Sequence, residues 1–237
     1  MKEEQAICYS CVNENCFIKK HLYLEQMKAY ISKKQSVICK KSDRFITEGA
    51  PLQGLYFICK GKAKTIKTGI NGREQIVRLT TNGDIIGFRG FGTSKRYLIG
   101  AYALEDTVLC NFSNETMLEI LQHIPEFTYA LMLFYAEELN KSENNIRKIA
   151  HMNVRERVVD LLLYIHRKFG QINGLIDIEL SRKEIADFAG TTEEQAIRII
   201  SSLKKEALIK TIGKRIGILD VEELRSEIME HKYFQVF

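Results

Sequence analysis

The sequence lacks any apolar run that approaches the roughly 18–20 residues a helix needs to cross a bilayer. Its first residues also lack the apolar stretch after a basic region that marks a secretory signal. These two absences predict a cytoplasmic protein with no membrane partner. In that reducing compartment the six cysteines are expected to be free thiols, metal ligands or redox sensors rather than a disulfide framework.

Signatures of enzymes are missing as well. The sequence contains no P-loop, no HExxH motif and no GxSxG motif. Residues 37–112 contain no histidine, which argues against the alternative of a cupin-like enzyme, because its metal site needs His and Glu side chains that converge inside a barrel. We therefore expect a protein that is not an enzyme. A DNA-binding regulator and a pure interaction module are the two remaining classes.

Charge alone does not identify the partner. The formal net charge is +5 in 237 residues, and from residue 154 onward basic and acidic residues are equal in number. A prediction of nucleic-acid binding must therefore depend on local sequence patterns rather than on a basic composition.

The region from about residue 37 to residue 112 consists of short apolar or alternating runs separated by glycine. Asn71-Gly72 is a strong signal for a two-residue hairpin. Short strands with frequent turns predict a β-sandwich or barrel. The clearest runs cover residues 54–61, 63–69 and 74–79.

A different pattern starts at Pro125, which suits a helix start, and continues to about Asn153. Apolar residues recur at alternating spacings of three and four, which favours a helix that pairs with a copy of itself. The alternative is an amphipathic helix that lies on its own barrel, because a polar serine interrupts the seam. The seam positions are Met132, Tyr135, Leu139, Ser142, Ile146 and Ile149.

Two helices joined by a short turn are predicted between residues 180 and 203. Ser181 and Glu184 form a capping box that starts the first helix, and Gly190 ends it, because the tight turn favours a residue that tolerates positive φ. Thr192 and Gln195 form a second capping box that starts the next helix. This order predicts a helix-turn-helix.

The start of the second helix is the predicted base-reading surface. Arg198 suits bidentate contact with guanine, and Glu194 suits an acceptor role toward cytosine. The alternative for this pair is an ordinary surface ion pair, because residues four apart share a helix face. A basic hairpin between residues 207 and 219 follows as a wing positioned for phosphates. The predicted DNA contacts are Arg182, Thr192, Glu193, Glu194, Ile197, Arg198, Lys214 and Arg215.

These motifs, in this order, resemble the CRP/FNR superfamily, which is named after the cyclic-AMP receptor protein and the fumarate-and-nitrate-reduction regulator. The resemblance covers the chain from about residue 20 onward. The matching segments are Tyr56-Phe-Ile-x-x-Gly61, Gly83-Asp-Ile-Ile-Gly87, Ala103-x-x-x-Thr107, Asn153-Val-x-x-Arg157 and the helix-turn-helix.

The resemblance implies an α+β fold and a homodimeric transcription regulator in the cytoplasm. It implies that the operator is an inverted repeat in double-stranded DNA whose half-sites share a G·A step, since Glu194 and Arg198 fall on the family's base-reading positions. It also admits RNA polymerase as a partner. The implied parts are an N-terminal Cys-containing segment (1–20), a cyclic-nucleotide-binding-type β-roll or jelly roll (21–125), a dimerisation helix (126–153) and a winged helix-turn-helix domain (154–237).

The resemblance also implies an effector pocket in the β-roll. Phe88 stands where nucleotide-binding members have glutamate, and Ile99 aligns with their phosphate-binding arginine. Because a buried phosphate without an arginine would keep an uncompensated charge, cyclic AMP is not expected as the effector. The candidate pocket residues are Gly83, Ile86, Gly87, Phe88, Arg89, Arg96, Ile99 and Ser142.

Three cysteines near the chain start, Cys8-x-x-Cys11-x-x-x-x-Cys16, suggest a different signal. Soft thiolates at this spacing suit an iron–sulfur cluster such as [4Fe-4S], or zinc. Resemblance to oxygen-sensing members of the family implies Cys110 as a fourth ligand. A thiol redox switch and a site without any cofactor remain alternatives, because Cys110 lies in an apolar strand and free cysteine is often a core residue.

The two remaining cysteines are predicted to be core residues. Cys59 shares a strand face with Leu55 and Phe57, and Cys39 lies in the same β-rich region.

Overall fold

The computed structural model describes residues 8–11, 13–91 and 95–234. They form two compact units, one ending at Phe134 and the other beginning at Tyr135. Residues 1–7 of the predicted N-terminal segment and residues 235–237 of the predicted DNA-binding domain lie outside the described residues. Within the described part, no helix combines the length and the apolar character needed to cross a membrane.

The strands of the first unit form two antiparallel sheets. They are β1 (Gln35–Cys39), β2 (Arg44–Ile46), β3 (Gly54–Lys60), β4 (Ala63–Thr68), β5 (Glu74–Thr80), β6 (Ile85–Ile86), β7 (Gly100–Ala103) and β8 (Thr107–Ser113). One four-stranded sheet has the order β1-β8-β3-β6 and the other the order β2-β7-β4-β5. This is the predicted β-roll.

Side chains from both sheets meet in one apolar core. Tyr56 and Ile58 of β3 and Ala101 of β7 are buried there. Cys39 is only 4% exposed within the same core, so its predicted core position is confirmed.

The hairpin between β4 and β5 turns at Asn71-Gly72 as predicted, but five residues instead of two separate the last paired residues, Thr68 and Glu74. Asn71 has φ +61° and Gly72 has φ +71°. A turn with two positive φ values matches the twist of the flanking strands, and asparagine and glycine are the residues that tolerate it. The turn fixes the register in which Thr68 pairs with Glu74.

Helices and the N-terminal segment cover the other face of β3. Phe57 of β3 is 1% exposed and packs edge-on against Phe112 of β8, with ring centroids 5.8 Å apart. Both strand faces of β3 are therefore buried. The helices of this unit are α1 (Phe17–Lys20), α2 (Lys28–Ile31), α3 (Asn114–His123) and the first part of α4 (Pro125–His151).

The second unit contains the rest of α4 and a winged helix-turn-helix. Its further elements are α5 (Val154–Phe169), β9 (Gln171–Ile172), β10 (Leu175–Ile176), α6 (Arg182–Ala189), α7 (Glu193–Lys205), β11 (Ile209–Ile212), β12 (Arg215–Ile218) and α8 (Val221–Glu227). The α+β architecture of a β-roll, a long helix and a winged helix-turn-helix is confirmed.

The long helix ends earlier than the sequence pattern indicates. The pattern runs to about Asn153, but α4 stops at His151. Asn153 instead caps α5: its side chain accepts from the Glu156 backbone, and the Glu156 carboxylate accepts from the Asn153 N–H at 2.8 Å. This reciprocal cap satisfies the N–H groups of Asn153 and Glu156 at the start of α5 and separates the two helices.

Candidate DNA interface and cysteine site

The first helix of the helix-turn-helix begins and ends as predicted. The Ser181 hydroxyl accepts from the Glu184 N–H at 3.1 Å, and the Glu184 carboxylate accepts from the Ser181 N–H at 2.8 Å. Gly190 ends α6 with φ +64° and ψ +48°. In this left-handed conformation a side chain other than glycine or asparagine is strained.

The second capping box is only half formed. The Thr192 hydroxyl accepts from the Gln195 N–H at 3.3 Å. The Gln195 side chain bonds to the hydroxyl of Thr191 instead of returning to the Thr192 backbone. The predicted helix start is therefore right and the predicted reciprocal bond is wrong, because a neighbouring hydroxyl competes for the glutamine.

Helix α7 turns an apolar side inward and a polar side to solvent. Ala196, Ile200 and Leu203 are buried in the unit. Glu194 and Arg198 form an exposed ion pair, and their side chains are 74% and 75% exposed. An exposed pair of this kind is worth little on its own, so both side chains are available to a partner. The predicted contacts Thr192, Glu193 and Ile197 are also exposed.

Arg157, which the sequence did not identify as a functional residue, holds the turn between α6 and α7 in place. Arg157 donates from Nε to the carbonyl oxygen of Ala189 at 2.8 Å and from Nη2 to that of Gly190 at 3.2 Å. Its Nη1 donates to the carbonyl oxygen of Met152 at 2.7 Å. One guanidinium thus satisfies the carbonyl groups at the end of α6 and connects them to the start of α5.

A second arginine network fixes the end of α7. Arg155 of α5 donates to Glu206 after α7 and to Glu227 of α8. These hydrogen bonds hold the pKa of the Glu206 carboxyl below its ordinary value. The orientation of α7 therefore depends on charged groups on both neighbouring helices.

The wing is the hairpin of β11 and β12. Its turn contains Gly213, with φ +57°, and the exposed Lys214. Arg215 lies 3.8 Å from a carboxylate oxygen of Asp177. The hairpin therefore places an exposed cation at its tip and a partly neutralised one beside it.

Arg182 lies at the first position of α6. Its guanidinium is half-buried, and burial lowers its pKa below the ordinary value. Its Nη1 has no hydrogen-bond partner within the described part of the chain.

Five thiols line one cavity in the first unit. The four predicted ligands Cys8, Cys11, Cys16 and Cys110 are all there. Cys59 joins them: it was predicted to be a core residue, but it is only half-buried and lines the cavity instead. The remaining lining residues are Ile18, Lys19, Phe57 and Phe112. Among the described residues no three His, Cys, Asp or Glu side chains form a site for a single metal ion.

The N-terminal segment is anchored to the β-roll beside this cavity. The Asn13 amide donates to the carbonyl oxygens of Ile58 at 3.0 Å and Cys59 at 3.3 Å. Asn15 packs so closely against Gly83 that a Cβ there would lie 2.7 Å from the Asn15 carbonyl oxygen. Gly83, predicted in the effector pocket, thus allows this contact to form.

Burial and hydrogen bonding set the acidity of the thiols. Desolvation raises the pKa of Cys8, Cys11 and Cys16. Cys59 and Cys110 form a coupled pair, in which the hydrogen bond from Cys59 lowers the pKa of Cys110. Lys34, only 7% exposed, adds a cation that also favours the ionised form of Cys110.

The predicted effector pocket is a second cavity of the β-roll. Phe88 and Ile99 line it and are 4% and 5% exposed, so apolar side chains stand where the resemblance implied polar ligand contacts. Of the candidates, Ile86, Gly87 and Arg89 also line it. The other lining residues are Thr65, Val77 and Arg78.

Arg78 is the cation that sequence reasoning missed at this cavity. It donates to the carbonyl oxygen of Ile85 at 2.7 Å and lies 3.5 Å from an Asp84 carboxylate oxygen. Arg96 lies outside the cavity lining and donates to the carbonyl oxygen of Gly49. Ser142 donates to the carbonyl oxygen of Glu138 one turn earlier in α4.

Comparison with known proteins gives consistent matches for both units. Residues 37–123 match the model of a cyclic nucleotide-binding domain, and residues 156–227 match that of a Crp-like helix-turn-helix domain. The transcriptional activator protein anr of Pseudomonas aeruginosa is 26% identical over 188 residues, which cover 78% of this chain and 77% of the relative. The fumarate and nitrate reduction regulatory protein of Vibrio cholerae is 25% identical over 92% of this chain and 88% of its own length.

A solved structure shows the same fold. FixK2 from Bradyrhizobium japonicum superimposes with a TM-score of 0.73 at 22% identity, over 81% of this chain and 96% of that one.

Proposed function

The chain belongs to the CRP/FNR family of DNA-binding transcription regulators, and from this membership we propose that it acts as a homodimer on inverted-repeat DNA and senses its signal through an iron–sulfur cluster. The family consists of regulators, not enzymes. The observation that carries the sensing part is the cavity that four predicted ligands share, Cys8, Cys11, Cys16 and Cys110.

The exposed face of α7 supports the DNA-binding part. Glu194 and Arg198 share one helix face near its N-terminus, which is the part of a recognition helix that reaches base edges. Arg182, Lys214 and Arg215 supply cations for the phosphates. We expect inverted-repeat operators, because a dimer with two-fold symmetry presents two identical recognition helices.

The donor set fits an iron–sulfur cluster. Cysteine thiolates are the ligands of such clusters, and here they line a cavity whose other walls are mainly apolar. When bound, the cluster supplies a redox-active centre whose potential depends on charge, hydrogen bonding and solvent exposure. Asn13 holds the segment that carries three of the thiols against β3. The buried Lys34 supplies positive charge to balance the thiolates.

The names of the relatives favour a signal related to oxygen. One of them, from Pasteurella multocida, is named an anaerobic regulatory protein. Cyclic AMP is a weaker candidate, because Phe88 and Ile99 fill the positions that its ribose and phosphate would need. Contact with RNA polymerase in the cytoplasm belongs to the same proposal.

The test is anaerobic purification of the full chain, followed by iron, sulfide and zinc analysis and a visible spectrum. We expect about four iron and four sulfide per subunit with a broad band that bleaches in air. Cys16→Ser should lose the iron. Cys39→Ser is the matched control, because Cys39 lies in the core away from the cavity, and it should keep the iron.

Operator binding is measured in the same preparations by gel shift. We expect tight, sequence-specific binding by the iron-loaded protein and a clear loss after exposure to air. Stoichiometric zinc, or protein without metal that still binds its operator in a regulated way, would contradict the iron–sulfur proposal.

A further inference from the structure

Cys59 is the fifth thiol at the cysteine site, whereas the proposed cluster needs only four thiolate ligands. It lies in β3, where the pairing with β8 changes register between Ile58 and Lys60. Its sulfur lies 3.7 Å from the sulfur of Cys11, so the two thiols are in contact. None of the described cysteines forms a disulfide.

Cys11 is a better disulfide partner for Cys59 than Cys110 is. A disulfide needs Cα atoms about 4.4–6.8 Å apart and a dihedral near 90° about the S–S bond. Cys110 pairs with Phe57 in the ladder of β3 and β8, which restricts its backbone, whereas Cys11 lies in no helix or strand. Cys11 and Cys59 are also half-buried, while Cys110 is only 8% exposed.

We propose that Cys11 and Cys59 form an oxidation site that closes into a disulfide when the metal-free protein meets a peroxide. Hydrogen peroxide oxidises one thiol to a sulfenic acid and releases one water. The second thiol attacks that sulfur, the S–S bond forms, and a second water leaves. The two sulfurs lose two electrons in total, and the O–O bond of the peroxide accepts them.

The disulfide has a consequence for the cysteine site. It removes Cys11 from the ligand set, so iron and sulfide cannot be taken up again until a thiol reductant opens the bond. This blocking step rests on the proposed function, whereas formation of the disulfide does not, because the pair is complete without a metal.

The experiment uses the full-length protein, reduced and freed of metal by chelation without oxygen. It is treated with about one equivalent of hydrogen peroxide, the remaining thiols are alkylated, and a non-reducing digest is analysed by mass spectrometry. We expect one cross-linked peptide pair, which contains Cys11 and Cys59. This cross-linked pair should be absent from Cys59→Ser and from Cys11→Ser. The Cys11→Ser variant leaves β3 intact. The control Cys39→Ser should still form the cross-link.

Two results would overturn the inference: a cross-link between Cys59 and Cys110, or no cross-link at all. Iron analysis of the untreated anaerobic protein tests the proposed function separately, so metal-free protein that forms the Cys11–Cys59 link supports this inference alone. Uptake of iron and sulfide should fail in the oxidised wild type, recover after reduction, and persist in oxidised Cys59→Ser. Equal uptake by the oxidised and reduced wild type would disprove the blocking step.

Discussion

Arg198 lies on the exposed face of the recognition helix α7, where it forms an ion pair with Glu194. Because a bidentate arginine–guanine contact carries sequence information, Arg198→Ala should weaken operator binding by about 1–3 kcal/mol, or roughly 5- to 150-fold, for each of the two half-sites. Binding to a scrambled duplex should change far less. Titration of labelled operator and scrambled DNA at one salt concentration measures both.

The matched control is Arg225→Ala. Arg225 of α8 is also an exposed arginine, ion-paired with Glu222 one turn away, but it lies outside the helix-turn-helix. It should leave both affinities nearly unchanged. Equal losses on operator and scrambled DNA for Arg198→Ala would assign Arg198 to phosphate contact instead of base reading.

For Cys59, the sequence predicts which face of the strand the residue occupies but not which element covers that face. The strand face of Cys59 was predictable, since it does lie on the side of Phe57, and both line the thiol cavity. What was not predictable is which element covers that face. The N-terminal segment lies more than forty residues earlier in the chain and brings Cys11 into contact with Cys59. The alternation of apolar residues along one strand does not predict a contact with so distant a segment.

The seam of helix α4 presents apolar side chains to solvent in the single chain. Four of its six residues are exposed in the single chain, with Ile146 at 69% and Leu139 at 60%, together with Met132 and Ile149. A row of exposed apolar residues at heptad spacing is the expected state of a coiled-coil helix without its partner. This supports the proposed homodimer.

Ile146→Asp should therefore shift the protein toward monomer. Loss of one buried isoleucine costs about 2–5 kcal/mol, so the dissociation constant of the dimer should rise by at least roughly 30-fold. Light scattering across a concentration series measures the change. Asn144→Asp adds the same charge at the heptad position opposite the seam and should stay dimeric, while an unaltered dimer in Ile146→Asp would refute the seam.

Helix boundaries were predicted correctly where a capping box marks them, and wrongly where one residue could belong to either of two helices. Ser181 and Glu184 fix the start of α6 as expected. The apolar spacing of α4 continues to Asn153, yet that side chain caps α5, because free N–H groups at a helix start gain more from an asparagine than a helix interior does. Periodicity alone does not reveal which of two helices a capping residue serves.

At the scale of the whole molecule, motif order was enough to predict the architecture. Strands separated by glycine, a long helix and a capped pair of helices each have a recognisable local sequence pattern. The order of these patterns along the chain matches that of one family. The cavities were less predictable. Arg78 lies on β5 and reaches the predicted effector pocket, where it donates to the Ile85 carbonyl group, and this contact depends on packing between elements.

The symmetry of the proposed dimer predicts how DNA binding depends on salt. Each neutralised phosphate contributes about −0.9 to the slope of log K against log salt concentration. Lys214 lies exposed at the tip of the wing, and a dimer presents two wings to one operator. Lys214→Ala should therefore reduce the magnitude of the slope by about 2, whereas a protein that binds as a monomer would lose about 1.

The measurement is operator affinity at four or more salt concentrations, compared with Lys41→Ala, which removes an exposed lysine of the β-roll. That control should keep the wild-type slope. Because phosphate contacts are insensitive to sequence, Lys214→Ala should weaken operator and scrambled DNA by similar factors, in contrast to Arg198→Ala. An unchanged slope would exclude Lys214 from the interface, and a change of about 1 would contradict binding as a dimer with both wings on the DNA.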